Sequence, residues 1–426
     1  MNRIILIGNG FDLAHGLKTS FSDFLNFYWD NIFNEISLTR KLTRFENENI
    51  VIDQIPMTFI EGENQFETIR ISVENARTTL RWKNHLLKAI TVKNNTEKWV
   101  DIENEYYQLL VESFKEQNNN YKISELNQDF DRIKNYLNKY ITQIENNAKI
   151  ENSSCRAQIT SKIYSRFEFK DFTEKAINEK AKLELNKAKE NFKNAQPDVF
   201  VRNKLSEVER RLIDKLGSED DYLMIRKLLT SDSAPNYFKL FPDNILFLNF
   251  NYTKSHKHYI NPNTVYFNNL DNNFNTISIH IHGTVYEKEY NPIIFGFGDE
   301  IDQNYKTIEN LNDNRYLEHI KSIKYLETDN YKKLLEFINS DQYQIFIFGH
   351  SCGNSDRTLL NTLFENQNCV SIKPFYYKKQ NGQDNFSELS MNITRNFNNK
   401  AVLRDKVVNK KFCEPLCLSA NNGYHK

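Results

Sequence analysis

At 426 residues the chain has room for two or three domains at roughly 150 residues each, and with 39% hydrophobic and 26% charged residues it reads as globular, neither fibrous nor disordered. Its 56 Lys and Arg balance 56 Asp and Glu, so no global field directs it to nucleic acid or to an anionic membrane. No run approaches the roughly 20 apolar residues of a membrane span, and the opening run is too short for a signal-peptide core, so a cytoplasmic protein without membrane contact is expected. Five scattered cysteines, Cys155, Cys352, Cys369, Cys413 and Cys417, with no C-x-x-C pair, predict reduced thiols and no zinc knuckle.

The chain opens on Arg3-Ile4-Ile5-Leu6-Ile7, an apolar run of strand length, which breaks into Gly8-Asn9-Gly10-Phe11-Asp12. Two readings fit. Glycines at a strand-to-helix turn let the backbone approach a pyrophosphate at a helix N-terminus; alternatively the turn is simply tight and binds nothing. A full G-x-G-x-x-G fingerprint needs glycine at position 13, where Leu13 stands. Ser20 followed by Asp23 makes a capping-box pattern, and Phe21, Phe24, Leu25, Phe27 and Tyr28 give the next helix an aromatic core face.

From about residue 40 to 240 strand signals are sparse and the sequence reads as helical. Trp99-Val100-Asp101-Ile102-Glu103 opens an amphipathic helix continuing through Tyr106, Leu109, Leu110 and Phe114. Asp101 and Glu103, two apart, point to different faces, so at most one can face a site, and dipole-favourable surface acids are the plainer reading. Residues 121 to 217, punctuated by Pro197 and Gly217, predict antiparallel helices, with Glu174 to Lys193 as a solvated face.

Strand patterns return after Pro242. Ile245 to Phe250 is a continuous apolar run ending in Asn251-Tyr252-Thr253, as in a strand buried on both faces. Ile277 to His282 alternates, placing three isoleucines on a core face and Ser278, His280 and His282 on the other. His280 and His282 could share a metal, but no nearby acidic or cysteine pair completes a shell. His256 and His258 read as surface residues. Pro292 to Gly298 predicts a strand or a buried loop. Tyr343 to Phe348 runs into Gly349-His350-Ser351-Cys352-Gly353-Asn354-Ser355-Asp356, where a second glycine turn meets a helix start; Asp356 is either a ligand contact or that helix's N-cap.

The architecture predicted is α/β: a Rossmann-like parallel sheet flanked by helices, formed by both sequence ends, residues 1–45 and 240–426, around a large, mainly α-helical insertion at 46–239. Ligands of such sheets sit at the carboxyl ends of the strands, which would gather Gly8, Asn251, His282 and Gly349 at one rim.

Ile7-Gly8-Asn9-Gly10-Phe11-Asp12-Leu13-Ala14-His15-Gly16-Leu17 resembles the opening of the phage abortive-infection AbiH family. Phe250-Asn251-Tyr252-Thr253, Ile281-His282-Gly283-Thr284 and Phe348-Gly349-His350-Ser351 through Asp356 resemble its later motifs, and Trp99 to Glu103 is similar to its W-x-D-x-E stretch. More distantly the chain resembles the sirtuin-like NAD-binding superfamily. This resemblance implies NAD as substrate or ligand, no metal, catalytic residues Asn251 and His282, and a nucleotide-binding set of Gly8, Asn9, Gly10, Phe11, Asp12, Gly349, His350, Ser351 and Asp356. Asn9 stands where that superfamily prefers Ala, Asp12 where Ser is common, and Thr253 where defence NADases have Asp. The missing C-x-x-C pair removes the zinc module of protein-deacylating sirtuins.

The function so implied is phage-triggered cleavage of the nicotinamide-ribose bond to nicotinamide and ADP-ribose. The partners would be a phage or host protein read by the helical insertion and a second copy of the chain. The alternative is a catalytically silent nucleotide-binding sensor, which Thr253 in place of Asp favours. A nuclease or phosphatase is disfavoured by the neutral charge and the missing carboxylate cluster.

Overall fold

The computed structural model describes residues 1–39, 44–53, 79–92, 99–115, 121–148, 150, 154–195, 199–217, 220–260, 274–285, 291–379 and 381–418. Pro197 and the side chains of Trp99, Val100 and Asp101 lie outside the described residues.

The opening apolar run forms β1 (Asn2–Ile7), buried along its whole length. It forms the middle strand of a five-stranded parallel sheet. On one side lies Asn244–Asn249, with Ile5 in register with Phe247, and beyond it Asn275–His280. On the other side lies Tyr343–Phe348, with Ile5 opposite Phe346, and then Cys369–Phe375. Successive side chains of β1 point to opposite faces. Ile4 and Leu6 therefore join a core with Leu246, Ile345 and Ile347 under the helices Asn330–Ser340, Arg357–Glu365 and Phe386–Arg395. Ile5 and Ile7 join Phe247, Phe346, Phe348 and Phe375 beneath Phe11, Ile159 and Ile163. Both faces of the three inner strands are covered, which is why those strands read as unbroken apolar runs.

Arg3 is the polar exception. It is fully buried, and its guanidinium donates to the carbonyls of Ile163 at 2.9 Å and Ser165 at 2.7 Å and to Gln344 Oε1 at 3.2 Å. These bonds tie the end of the Ser154–Ile163 helix onto the sheet.

The helix after the first turn is α1 (Asn9–Ala14), and α2 (Phe21–Thr39) follows. The capping box is present: Ser20 N–H donates to Asp23 Oδ2 at 3.0 Å and Asp23 N–H to Ser20 Oγ at 3.1 Å. The aromatic face of α2 packs with α3 (His85–Val92), α4 (Trp99–Lys115) and α5 (Ile123–Asn147) in a separate core holding Phe21, Phe24, Tyr28, Trp29, Tyr106 and Phe130. A third core, around Phe169, Ile177, Leu212 and Ile225, joins Glu174–Ala195 to the short helices after it. The Glu174–Ala195 helix buries only a stripe, including Ala176, Ile177, Ala181 and Ala188, so its remaining charge is solvated.

Two expectations need correction. A second, three-stranded antiparallel sheet, Arg44–Glu46, Ile50–Asp53 and Thr79–Trp82, lies in the stretch read as helical; strands of three or four residues carry too few alternations to be recognised. The alternating run reaches only His280, the edge strand leaves Ile277 exposed, and His282 sits in the turn beyond. Of the two alternatives for residues 292–298 the buried loop holds, with one bridge, Phe297 to Ile320, and no strand.

Candidate functional site

The two glycine turns meet each other at the carboxyl ends of β1 and Tyr343–Phe348. Gly8 N–H donates to the Phe348 carbonyl at 3.1 Å and Gly10 N–H to the Gly349 carbonyl at 2.9 Å. Gly349 has φ +71°, and a Cβ there would lie 2.1 Å from the Phe11 nitrogen; a Cβ on Gly8 would lie 2.4 Å from the His350 Cα. Glycine is required at both places because one backbone turn presses on the other. Asn9 accepts from the Thr19 hydroxyl at 2.6 Å, and Phe11 is buried under the sheet.

Asp12 lies inside α1 and is buried. Its carboxylate accepts from Thr253 Oγ1 at 2.6 Å and Ser255 Oγ at 2.5 Å. Asn251 donates its amide to the Gly8 carbonyl at 3.0 Å, so the end of Asn244–Asn249 is laced to the first turn. Burial pushes Asp12 up to about 6, against the lowering effect of Ser255 and Thr253. Folded Asp12 thus keeps its proton to about pH 6, whereas an unfolded one releases it near 3.8. Across that window the folded state holds more protons, so its contribution to stability falls as pH rises, by on the order of 3 kcal/mol. Asp12→Asn should remove this dependence: in urea unfolding the variant should gain on wild type between pH 4 and pH 7.

Beyond the same strand ends lies a buried charged cluster. Lys321, 1% exposed, places Nζ 2.8 Å from Asp356 Oδ1 and 2.8 Å from Glu103 Oε1. Asp356 Oδ1 also meets His282 Nε2 at 3.2 Å, and its Oδ2 lies 3.6 Å from His350 Nε2. Four separate segments contribute: Glu103 from α4, His282 from the turn after Asn275–His280, Lys321 from the short helix Lys321–Lys324, and His350 with Asp356 from the second glycine turn. Phe250 packs against both imidazoles, with ring centroids 5.0 Å from His282 and 4.3 Å from His350. Tyr325 stacks on His282 and lies within hydrogen-bond reach of its Nε2 at 3.3 Å.

The electrostatics assign charges within this cluster. Burial alone would raise Asp356, but Lys321 and then His282 hold it well below the usual carboxylate range. Burial raises Glu103, only partly countered by Lys321. Lys321 keeps its charge because Asp356 and Glu103 outweigh burial. Burial, reinforced by Lys321, lowers His282, leaving a neutral imidazole. With Nε2–H directed at Asp356, the basic lone pair of His282 is on Nδ1. In His350 the Cys352 N–H donates to Nδ1 at 3.0 Å, so Nε2 carries the proton toward Asp356. The arrangement is an oriented base backed by a carboxylate, with a lysine balancing the acid.

The structure therefore draws His282, His350 and Asp356 together, and separately joins Asn251, Gly8 and Asp12; Ser351 is exposed. Asp356 precedes Arg357–Glu365 but makes no side-chain capping bond, so the capping alternative fails. His256 is a correction of another kind: it is fully buried, bonded to Ser278 Oγ at 2.7 Å and to the Asn249 amide at 3.1 Å. Lys321 and Tyr325 escaped the sequence reading; Glu103 was one of two acids of which at most one could face a site, and it joins the cluster in place of the plainer surface reading.

The polar, titratable cluster thus lies at the carboxyl edge of a parallel sheet, the edge where open α/β folds commonly place their ligand sites. The family model described as bacteriophage abortive infection AbiH matches residues 4–201 and 164–378, and the chain belongs to that family. Membership gives it a role in phage abortive infection. Neither curated proteins nor solved structures gave a match. Among the described residues no helix is long and apolar enough to cross a membrane.

Proposed function

We propose that the chain binds NAD at the carboxyl edge of the parallel sheet and, on phage infection, hydrolyses its nicotinamide-ribose bond. The observation that carries this reading is His282 held against Asp356, itself charge-balanced by Lys321, directly beyond the strand ends. Water attacks ribose C1′ as the bond to the nicotinamide nitrogen breaks. The bonding pair leaves with neutral nicotinamide, and the water proton passes to His282 Nδ1. Asp356 faces the imidazolium that results. Asn251, whose amide nitrogen is committed to the Gly8 carbonyl, offers its amide oxygen to a ribose hydroxyl or to the water. The glycines belong to the turn-on-turn packing and do not by themselves indicate a phosphate, so the reading rests on the acid–base cluster and on the sirtuin-like resemblance.

A second reading has its own observation. Glu103, from the helical part of the chain, pairs with Lys321, which also holds Asp356 at the sheet, so a partner docking on the helices would act on the rim through Lys321. That suits a nucleotide-binding sensor without turnover. Intracellular NAD, followed after infection in cells expressing the chain, tests the catalytic reading: it should fall with wild type and hold steady with His282→Gln. Steady NAD with the wild type, in cells that nonetheless arrest the phage, favours the sensor.

A further inference from the structure

A second polar cluster lies on α5 and the segment leading to Lys321. The His319 side chain is 5% exposed, yet its Nε2 has no hydrogen-bond partner among the described residues. Such a buried, unsatisfied nitrogen is unfavourable unless something occupies it. The ring also hydrogen-bonds the Asn127 backbone; since Nε2 is free, Nδ1–H is the donor and Nε2 keeps its lone pair.

That lone pair looks toward Asp131, whose Oδ1 is 3.8 Å away. One ligand atom each from Asp131, Glu318 and His319 lies within 4.8 Å of the others. Atoms bound to one tetrahedral zinc ion at roughly 2.0–2.2 Å are about 3.3–3.6 Å apart, so the two carboxylates, neither of them buried, close the set by moving inward by about 1 Å. The supporting shell is also present. Asn127 donates to Glu318 Oε2 at 2.7 Å and accepts from the Tyr106 hydroxyl at 2.9 Å, while Phe130 and Tyr106 pack on the imidazole at 4.6 and 5.6 Å. A histidine whose other nitrogen donates to a backbone carbonyl, beside a carboxylate that is itself hydrogen-bonded, is the usual support of a metal ligand.

We propose that His319, Asp131 and Glu318 bind one divalent transition-metal cation of the zinc class, fastening α5 to the segment that carries Lys321. The imidazole favours such an ion over calcium or magnesium, which need more oxygen ligands. The exposure of both carboxylates leaves the remaining positions to water. The His319 carbonyl accepts from the Phe297 N–H at 3.2 Å, so an ion at this imidazole would also steady the loop over the acid–base cluster.

Cobalt(II) is the probe that tests this. Full-length protein, stripped with a chelator and titrated with Co²⁺, should bind one equivalent that Zn²⁺ displaces, with d–d bands but without the thiolate charge-transfer band that cysteine ligation produces. Asp131→Asn, a change on the exposed shoulder of α5, should weaken binding roughly tenfold or more, as should His319→Gln, and neither variant should share the Zn²⁺-induced rise in unfolding temperature of wild type. No Co²⁺ uptake by wild type, a thiolate band, or equal affinity in wild type and Asp131→Asn would overturn the assignment.

Discussion

Replacing Lys321 by methionine should cost about 3–5 kcal/mol of folding stability, the usual penalty for removing one partner of a buried ion pair. Lys321 is almost wholly buried, and its ammonium is the shared counter-ion of Asp356 and Glu103. Without it two carboxylates are left facing one another with little water to screen them. The deficit should shrink as pH falls and Glu103, the acid with the raised pKa, takes up a proton first. Adding Glu103→Gln should return part of the loss, because one of the two uncompensated charges goes with it. Urea unfolding of the single and double variants measures both effects. A Lys321→Met protein as stable as wild type would mean that the three charges do not share a dry site.

His282→Gln should lower NAD turnover by about 10²–10⁴-fold, the range ascribed to loss of a general base. The amide can still donate to Asp356, so the far-UV circular dichroism should match wild type and the effect can be read as chemical. The pH profile carries further information. Burial and Lys321 hold His282 below its ordinary value, so the base stays neutral throughout the physiological range. Wild-type turnover should then be flat near neutrality and fall only on the acid side. A profile that instead rises through pH 6.5 to 8 would indicate another base.

Much of the sheet was legible because its strands are buried on both faces. Runs such as Ile245 to Phe250 and Tyr343 to Phe348 announce themselves by composition alone, and each ends at a glycine or asparagine that stops the strand. The Ser20–Asp23 cap was legible for the same reason, being a contact of three residues' span. Lys321 was not. It is a lone lysine between Ile320 and Ser322, and its partner Glu103 is 218 residues away, so only the tertiary structure makes it unusual. His256 misled because a histidine between lysines resembles surface, whereas Asn249 and Ser278 supply two bonds that allow it to be buried.

Asp12 and Thr253 are two of the three departures from the sirtuin-like pattern, the third being Asn9, and they are hydrogen-bonded to each other. The sirtuin-like resemblance implies a serine at position 12 and an aspartate at position 253, whereas in this chain the acid stands at 12 and the hydroxyl at 253. Read singly, each substitution weakened the expectation of a functional rim. Together they form a link between α1 and the end of Asn244–Asn249, and burial leaves Asp12 raised to about 6.

Incubating the purified chain with NAD, with and without phage lysate, and resolving the products by chromatography tests the central claim most directly. Nicotinamide and ADP-ribose should appear in equal amounts with wild type once the trigger is present, and neither should accumulate with His282→Gln. NAD left intact by wild type in the presence of a lysate that triggers arrest in cells would contradict the claim.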